Sequence, residues 1–440
     1  MRSILCLILL LFAGFAHGQS GKEVYATATG HTYTQADLSP DVRTMIINLP
    51  AKVAEGRTQL LDSMINDALI DIEAKARTTT SEKLVAGIIS KVVEPTEAEV
   101  KAVYEANLAA LEGKPLESVR ASIVSFLKQE RGQKMLMSFV ETLKAEVKVV
   151  RVKDVNAKGL RPTEVLVNVG ASAITVKQFE EAGKVDLYEA MADVSDIVTA
   201  DLDGVIFDSL LLDEAKSLNI DPSDLRAREV TDKMKTFSDE ERLGLEQALR
   251  SKLFTKYKVK ILYKEPEPPV ENISVDDDPA QGTAVAPVTI VMFSDFQCSA
   301  CSATHPVLKK AMAAFPGKIR FVVRDFPLTN IHKDAYNAAL AAGAANAQGK
   351  FFEYTELLYQ RQDALDADSL KKYAGELGLN VRQFEIDFNS EKTAAEVRKD
   401  MADGEQYRIH STPTIFVGGI RVRRLSVDGF RKAIERALAK

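Results

Sequence analysis

The stretch FSDFQCSACSATHP, residues 293–306, places Cys298 and Cys301 three positions apart at a change of sequence pattern. The run PVTIVMFSDF before the pair is apolar enough for a buried strand, and SACSATHPVLKKAMAAF after it has helical periodicity. The two cysteines are therefore predicted to lie at a strand-to-helix turn of an α/β domain. Such a pair is suited to a metal site, a structural disulfide or a redox centre.

The number of cysteines favours the redox interpretation. The chain of 440 residues contains three, and no second CxxC or HxxxH accompanies the pair to complete the four ligands that zinc needs. A disulfide across a three-residue step closes a very small ring, so it removes little entropy from the unfolded chain and stabilises a fold poorly. Cys298 and Cys301 are therefore predicted to form a redox pair, with no metal and no cofactor.

The first residues, 1–18, have the pattern of a secretory signal peptide. Arg2 provides a basic start, the segment 4–15 is apolar, and small residues follow it. The apolar run is shorter than the roughly 20 residues that a membrane-spanning helix needs. We therefore expect an exported, periplasmic or otherwise extracytoplasmic protein that does not span the membrane after cleavage, which also removes Cys6.

Composition excludes a nucleic-acid-binding protein and suggests several domains. The net charge is −6, and the charged residues, 27% of the chain, mix both signs along the sequence. A nucleic-acid surface would need a concentration of basic residues. The length predicts two or three globular domains.

A change in composition over residues 264–287, KEPEPPVENISVDDDPAQGTAVAP, predicts a linker and the entry strand of a C-terminal domain. Upstream of it, the sequence repeats at an offset of 141 residues, so that Thr34 corresponds to Thr175 and Leu69 to Leu210. The repeat predicts two modules, residues 22–150 and a shorter copy at 163–262.

Both copies are predicted to be mostly α-helical, each starting with a short strand and ending with an edge strand. Apolar residues recur at helical spacing from Leu61 to Ile72. Thr96 with Glu99 and Ser238 with Glu241 have the spacing of capping boxes, which predicts a helix after each.

This pattern, with LLDSMINDALIDIEAKA followed by EPTEAEVKAVYEANLAAL and a long helix, resembles the N-terminal chaperone domain of SurA/PrsA-type periplasmic folding factors. The resemblance covers residues 22–150 and, more weakly, 163–262. It implies a region that binds unfolded polypeptides. About a dozen residues separate the copies, so a parvulin prolyl isomerase domain is not expected. The alternative is a helical spacer or dimerisation arm.

The predicted turn gives the two sulfurs different roles. The first N–H groups of a helix lack partners and its dipole is positive there, so a thiolate at Cys298 is stabilised. Cys301, one turn further on, is expected to be shielded and to resolve a mixed disulfide formed at Cys298. Pro306 is expected to interrupt the helix.

VTIVMFSDFQCSAC, the later HSTPTIFVGG and VVRDFPL at residues 322–328 together resemble the DsbA-like branch of the thioredoxin superfamily over residues 270–440. The resemblance implies a thioredoxin-like fold with a helical insertion from about Asp334 to Asp400. It makes Cys298 the nucleophile, Cys301 the resolving thiol, and Thr412 with Pro413 a cis-peptide loop that binds substrate backbone.

Departures from that branch leave the direction of electron flow open. Ser299 and Ala300 stand between the cysteines, in place of the Gly-Pro of reducing thioredoxins or the Pro-His of the strong oxidant. The buried acid six residues before the first cysteine is replaced by Met292, while Asp295 lies three before it. Asp295, Ser299 and Ala300 are therefore candidate modulators of the pair.

Two histidines are close enough in sequence to reach the sulfurs. His305 follows Cys301 by four residues, and His410 precedes Pro413 by three. His305 is taken as a candidate modulator, and ordinary surface positions are the favoured interpretation of both.

The sequence therefore predicts an exported thiol–disulfide oxidoreductase that forms or shuffles disulfides in folding proteins and carries a chaperone-like peptide-binding region. Expected partners are unfolded or thiol-containing secreted proteins and a membrane redox partner. The alternatives are a non-catalytic chaperone or assembly scaffold, and a reductase with a helical dimerisation stalk.

Overall fold

The structure is a computed structural model that describes residues 23–111 and 113–439. The chain divides after Glu267 into an N-terminal and a C-terminal unit. The predicted signal peptide, residues 1–18, lies outside the described residues. Within the described part of the chain, no helix combines the length and apolar character that crossing a membrane requires.

The N-terminal unit is mostly helical, as predicted, with short strands at intervals. Its described strands are β1 (Val24–Ala28), β2 (His31–Thr34), β3 (Val149–Arg151), β4 (Val165–Val169), β5 (Ser172–Thr175) and β6 (Lys260–Ile261). Its described helices are α1 (Pro40–Ala76), α2 (Ser81–Ile89), α3 (Glu97–Ala106), α4 (Leu116–Glu146), α5 (Val176–Leu218), α6 (Pro222–Glu229) and α7 (Asp239–Lys256).

Both predicted caps begin helices, by two different hydrogen-bond patterns. Thr96 and Glu99 form a reciprocal capping box at the start of α3. Ser238 accepts from the backbone N–H of Glu241 at the start of α7. The Glu241 carboxylate accepts from backbone N–H groups of residues 235–237 instead of Ser238.

The two sequence copies exchange their final strands. The hairpin β1–β2 pairs with β6, which comes from the end of the second copy, and the hairpin β4–β5 pairs with β3, which comes from the end of the first. Each three-stranded sheet therefore draws on both predicted modules, 22–150 and 163–262.

The long helices α1 and α5 extend this exchange to the hydrophobic cores. One core combines Val42 of α1 with the later part of α5, from Val198 to Ala215. The other combines the later part of α1, from Leu61 to Ala74, with Phe179 near the start of α5. The two predicted modules interleave because the two ends of each long helix, α1 and α5, are buried in different cores.

The C-terminal unit is an α/β domain. Its strands are β7 (Ala280–Gln281), β8 (Val288–Ser294), β9 (Ile319–Asp325), β10 (Thr414–Val417) and β11 (Ile420–Arg421). Its described helices are α8 (Ser299–Met312), α9 (Ala335–Asn346), α10 (Phe351–Gln360), α11 (Ala367–Glu376), α12 (Val381–Phe388), α13 (Glu391–Gln406) and α14 (Val427–Leu438).

The sheet order in this unit is β11-β10-β8-β9-β7, with β8 and β9 parallel and the other pairs antiparallel. The connection from β8 to β9 is α8, and α9 to α13 form the predicted insertion before β10. Ile290 and Met292 of β8 pack into the core on one face, while Val291 and Phe293 pack into a second core on the other. Burial of both faces explains why this strand is apolar throughout.

Much of the predicted linker, 264–287, packs onto the C-terminal unit. Ile273 and Val275 lie against the core that contains Phe293, and the backbone N–H of Glu271 donates to Gly419 O at 2.8 Å. The short strand β7 then pairs with β9. This stretch thus packs along the sheet of the C-terminal unit, whose predicted range begins at residue 270.

Candidate active site

Cys298 and Cys301 lie where strand β8 gives way to helix α8, the turn that the sequence predicts. Cys298 is the N-cap residue of α8, and Cys301 is in its first turn. Both are free cysteines; Cys298 is 8% exposed and Cys301 is completely buried. Pro306 lies inside α8, which continues past it to Met312, so the expected interruption does not occur.

The surroundings of Cys298 stabilise its thiolate. They lower the pKa of Cys298 to about 5, mainly because the Cys301 thiol donates a hydrogen bond to its sulfur. The Thr412 side chain and the backbone N–H groups of Cys301 and Ala300 act in the same direction, while burial opposes them. These N–H groups belong to the helix start, where a negative charge is favoured.

Cys301 has the opposite character. Burial raises the pKa of Cys301 well above its ordinary value, and the nearby Cys298 sulfur raises it further. The backbone N–H of Asp295 and the Ser294 side chain oppose this effect. At neutral pH the pair therefore consists of a thiolate at Cys298 and a protonated thiol at Cys301.

The predicted cis-peptide loop lies beside the first sulfur. The Thr412–Pro413 bond is cis, and β10 begins directly after it. As a thiol, Cys298 donates to Thr412 O at 3.4 Å. Thr412 Oγ1 is buried without a hydrogen-bond partner among the described residues, and a thiolate at Cys298 offers this hydroxyl an acceptor.

The carboxylate of Asp295, a predicted modulator, connects the turn before Cys298 to the loop after β9. This buried carboxylate accepts from the backbone N–H groups of Gln297 and Leu328 at 2.7 and 2.9 Å, and it lies 2.7 Å from His332 Nδ1. These three partners tie the loop after β9 to the turn before Cys298. The backbone N–H of Asp295 acts on the Cys301 sulfur. The sequence did not predict His332 as a partner of Asp295, because it is distant along the chain.

The other predicted modulators differ in position. Ser299 and Ala300 are exposed on the first turn of α8. His305 is buried, so a surface position was the wrong interpretation for this residue. Its ring centroid lies 5.0 Å from that of Tyr359 with the planes tilted by 36°, and burial lowers the pKa of His305. His410 is exposed.

A buried polar group behind Cys301 was not predicted. Ser294 Oγ and Tyr359 OH are 2.6 Å apart, and Ser294 is in register with Asp325 on the parallel strand β9. Asp325 Oδ1 is buried without a hydrogen-bond partner among the described residues. Burial and the charge of Asp400 raise the pKa of Asp325 well above its usual range.

Arg324, next to this group, anchors the segment that was predicted as linker. Its guanidinium is fully buried and lies 3.0 Å from Asp278, 2.8 Å from Asp400 and 2.7 Å from Asp403. Burial and the charge of Asp400 raise the pKa of Asp278 to about 9. Among the described residues, no group of three or more His, Cys, Asp or Glu side chains is arranged so that it could hold a metal ion.

Comparison with known proteins identifies the fold of this unit. Residues 274–436 match the Thioredoxin_4 family, described as thioredoxin. Together with the sheet order around β8, this match confirms the predicted thioredoxin-like fold with a helical insertion.

Two solved structures illustrate the likeness. BdbD from Bacillus subtilis has 24% sequence identity and a TM-score of 0.36, with 40% of this chain and 100% of that chain covered. A thioredoxin-like oxidoreductase from Silicibacter pomeroyi has 25% identity and a TM-score of 0.35, with 37% and 93% covered.

The curated relatives are larger proteins. The Na(+)/H(+) antiporter NhaA 1 of Mycolicibacterium vanbaalenii is 36% identical over 151 residues, which is 34% of this chain and 24% of the relative. The antiporter NhaA of Herminiimonas arsenicoxydans is 36% identical over 157 residues, 36% of this chain and 24% of the relative. The chain thus spans about a quarter of the length of these relatives.

The hydrogen bond between the two thiols gives a direct prediction. Cys301→Ala removes the donor and should raise the pKa of Cys298 from about 5 by one unit or more, roughly the effect of losing a strong hydrogen bond to a charged group. The thiolate absorbance at 240 nm, followed from pH 9 to pH 3 with Cys298→Ser as the baseline, measures it.

Cys301→Ser is the matched control, because its hydroxyl can still donate. Its midpoint should lie between those of the wild type and Cys301→Ala. Identical midpoints in all three proteins would show that Cys301 does not stabilise the thiolate.

Proposed function

We propose that the C-terminal unit is a DsbA-like thiol–disulfide oxidoreductase that forms or shuffles disulfides in exported proteins. The observation that carries the proposal is the contrast between the two sulfurs, a stabilised thiolate at Cys298 and a buried thiol at Cys301, beside the Thr412–Pro413 loop. A structural disulfide or a docking surface needs no such difference.

In the oxidising direction, a client thiolate attacks Cys298 Sγ of the disulfide form, and the Cys298–Cys301 bond breaks. Cys301 leaves with the electron pair and takes up a proton, because its raised pKa disfavours the thiolate. A second client thiolate then attacks the client sulfur of the mixed disulfide and releases Cys298 as a thiolate. The client loses two electrons and the cysteine pair gains them.

The low pKa of Cys298 supports this direction. A sulfur that is stable as a thiolate leaves readily, and it stabilises the reduced enzyme, which makes the disulfide form a stronger oxidant. Isomerisation uses the same group in reverse, with the Cys298 thiolate attacking a client disulfide. The Thr412–Pro413 loop, next to this sulfur, is the proposed binding site for the client backbone.

We propose that the buried polar group behind Cys301 supplies the proton that this sulfur takes up. Burial and the charge of Asp400 raise the pKa of Asp325 well above its usual range, which favours the protonated carboxyl. Its register partner Ser294 bonds to Tyr359 and acts on the Cys301 sulfur. We propose that this group does the work of the buried acid whose position in the DsbA-like branch is occupied here by Met292.

The N-terminal unit is proposed to bind unfolded clients, in line with the resemblance of its sequence to folding factors. Helices α3 and α4 form an arm with its own small core around Val100, Ile123 and Leu127. Phe126 and Met137 of α4 are 55% and 69% exposed, and eleven residues is close to three helical turns, so they share one face. A cleft of about 520 Å³ lies between the end of α2 and α4.

The remaining parts of the proposal come from the sequence. The N-terminal pattern of residues 1–18 supports export, and turnover of an oxidase requires a partner that removes its electrons, for which a membrane redox protein is the proposed class. The alternative functions are a non-catalytic chaperone or scaffold, and a reductase whose helical unit serves as a dimerisation stalk.

Oxidation of a reduced client protein with two cysteines tests the enzymatic proposal. Catalytic amounts of the protein, with oxidised glutathione, should accelerate disulfide formation, and Cys298→Ser should reduce the rate to the uncatalysed level. Cys301→Ser should accumulate a mixed disulfide with the client, visible on a non-reducing gel. Wild-type rates for Cys298→Ser would overturn the proposal.

Suppression of client aggregation, followed by light scattering, tests the role of the arm. The wild type should be a monomer that delays aggregation, and the pair Phe126→Ser with Met137→Ser should weaken the delay severalfold, since two large apolar contacts are lost. Lys134→Ser, an exposed change on the same helix, should have no effect. A stable dimer that does not delay aggregation would favour the stalk.

A further inference from the structure

Gln362 bonds to the redox turn from a distant part of the sequence. It lies just after α10, within the helical insertion, and its side-chain Nε2 donates to two backbone carbonyls of the turn. The acceptors are Phe296 O and Cys298 O, each at 2.9 Å. One amide group therefore uses both of its protons on the residues that present the first cysteine.

The carbonyl of Cys298 is a central point of this turn. Besides Gln362, it accepts from the backbone N–H groups of Cys301 at 3.1 Å and Ser302 at 3.2 Å, the first hydrogen bonds of α8. The orientation of this peptide therefore sets the direction of the helix start. The N–H groups of Ala300 and Cys301, which act on the Cys298 sulfur, belong to the same turn.

The residues around Gln362 support the contact. Three residues earlier, Tyr359 O accepts from Ser302 Oγ at 3.0 Å, and Tyr359 OH lies 2.6 Å from Ser294 Oγ. Tyr359 thus bonds to residues on both sides of the CxxC segment. The corner 359–362 of the insertion holds the turn before, at and after Cys298.

Gln297, between the two bonded carbonyls, is tied to another part of the insertion. Its Oε1 accepts from the backbone N–H of Asp334 at 2.9 Å, and its Nε2 donates to the Asp334 carboxylate at 3.3 Å. The turn is therefore held from two sides, by the start of α9 through Gln297 and by the end of α10 through Gln362.

We propose that Gln362 is a positioning residue for the redox pair: its amide fixes the backbone at Cys298 so that the N–H groups of Ala300 and Cys301 point at the sulfur. Gln362 bonds to backbone carbonyls and acts through the turn, so it is not itself a catalytic residue. Without the amide, Phe296 O and Cys298 O each lose one donor, and the helix start loses its alignment.

Gln362→Met keeps the length of the side chain and removes both donors. We expect the ionisation constant of the Cys298 thiol to fall about tenfold, followed by absorbance at 240 nm. The reduced form loses the same stabilisation, so the equilibrium constant for oxidation of glutathione should also fall about tenfold, which is about 30 mV for a two-electron couple. Gln360→Met, an exposed glutamine at the end of the same helix, is the matched control and should change neither quantity.

Gln362→Glu is the second variant, and it also serves if Gln362→Met does not fold. It removes the donors and adds a negative charge near Cys298, so both quantities should fall further than tenfold. If either folded Gln362 variant lowers the melting temperature but leaves the ionisation and the glutathione equilibrium within twofold of the Gln360→Met values, the residue is only structural and the proposal is overturned.

The inference rests on the proposed redox role of Cys298, and the two can fail separately. Titration of the thiol and the glutathione equilibrium need no client. If the wild type oxidises no client but the Gln362 variants show the tenfold changes, the proposed function is overturned and the role of Gln362 stands. If the wild type oxidises the client but the variants lack these changes, the proposed function stands and the role of Gln362 is overturned.

Discussion

The stabilised thiolate at the start of helix α8 is the interaction on which the active site depends. A negative sulfur needs hydrogen-bond donors, and the turn provides them from the Cys301 thiol and from the N–H groups of Ala300 and Cys301. The same geometry buries Cys301 and keeps it protonated. The difference between the sulfurs therefore follows from their positions at the helix start.

Keeping those donors aligned requires support from distant parts of the C-terminal unit. Asp295 ties the turn to the loop after β9, Gln297 ties it to the start of α9, and Gln362 ties it to the end of α10. The helical insertion thus holds the turn that carries the two cysteines. The interleaved repeats show the same dependence on distant partners, because each small sheet is completed by a strand from the other copy.

Local patterns in the sequence predicted the parts of the site that local forces determine. The apolar strand, the helix after it and the CxxC spacing predicted the turn at Cys298, and the resemblance to the DsbA-like branch implied the cis bond at Pro413. Gln362 could not be found in this way, because a glutamine after a helix has no local signature. The exchange of strands was equally hidden, since two similar copies offer each edge strand two equivalent partners.

The stretch before β8 shows another limit of local patterns. Its prolines and aspartates have the composition of a solvated linker, yet Asp278 lies 3.0 Å from the buried guanidinium of Arg324, a contact with a distant strand that composition does not reveal. The central claim, that the Cys298 thiolate makes this pair an oxidant, is tested most directly by its reduction potential at pH 7 in glutathione buffers. The stabilised reduced form predicts a potential between about −180 and −120 mV. A potential near about −270 mV, typical of a reducing thioredoxin, would contradict the account.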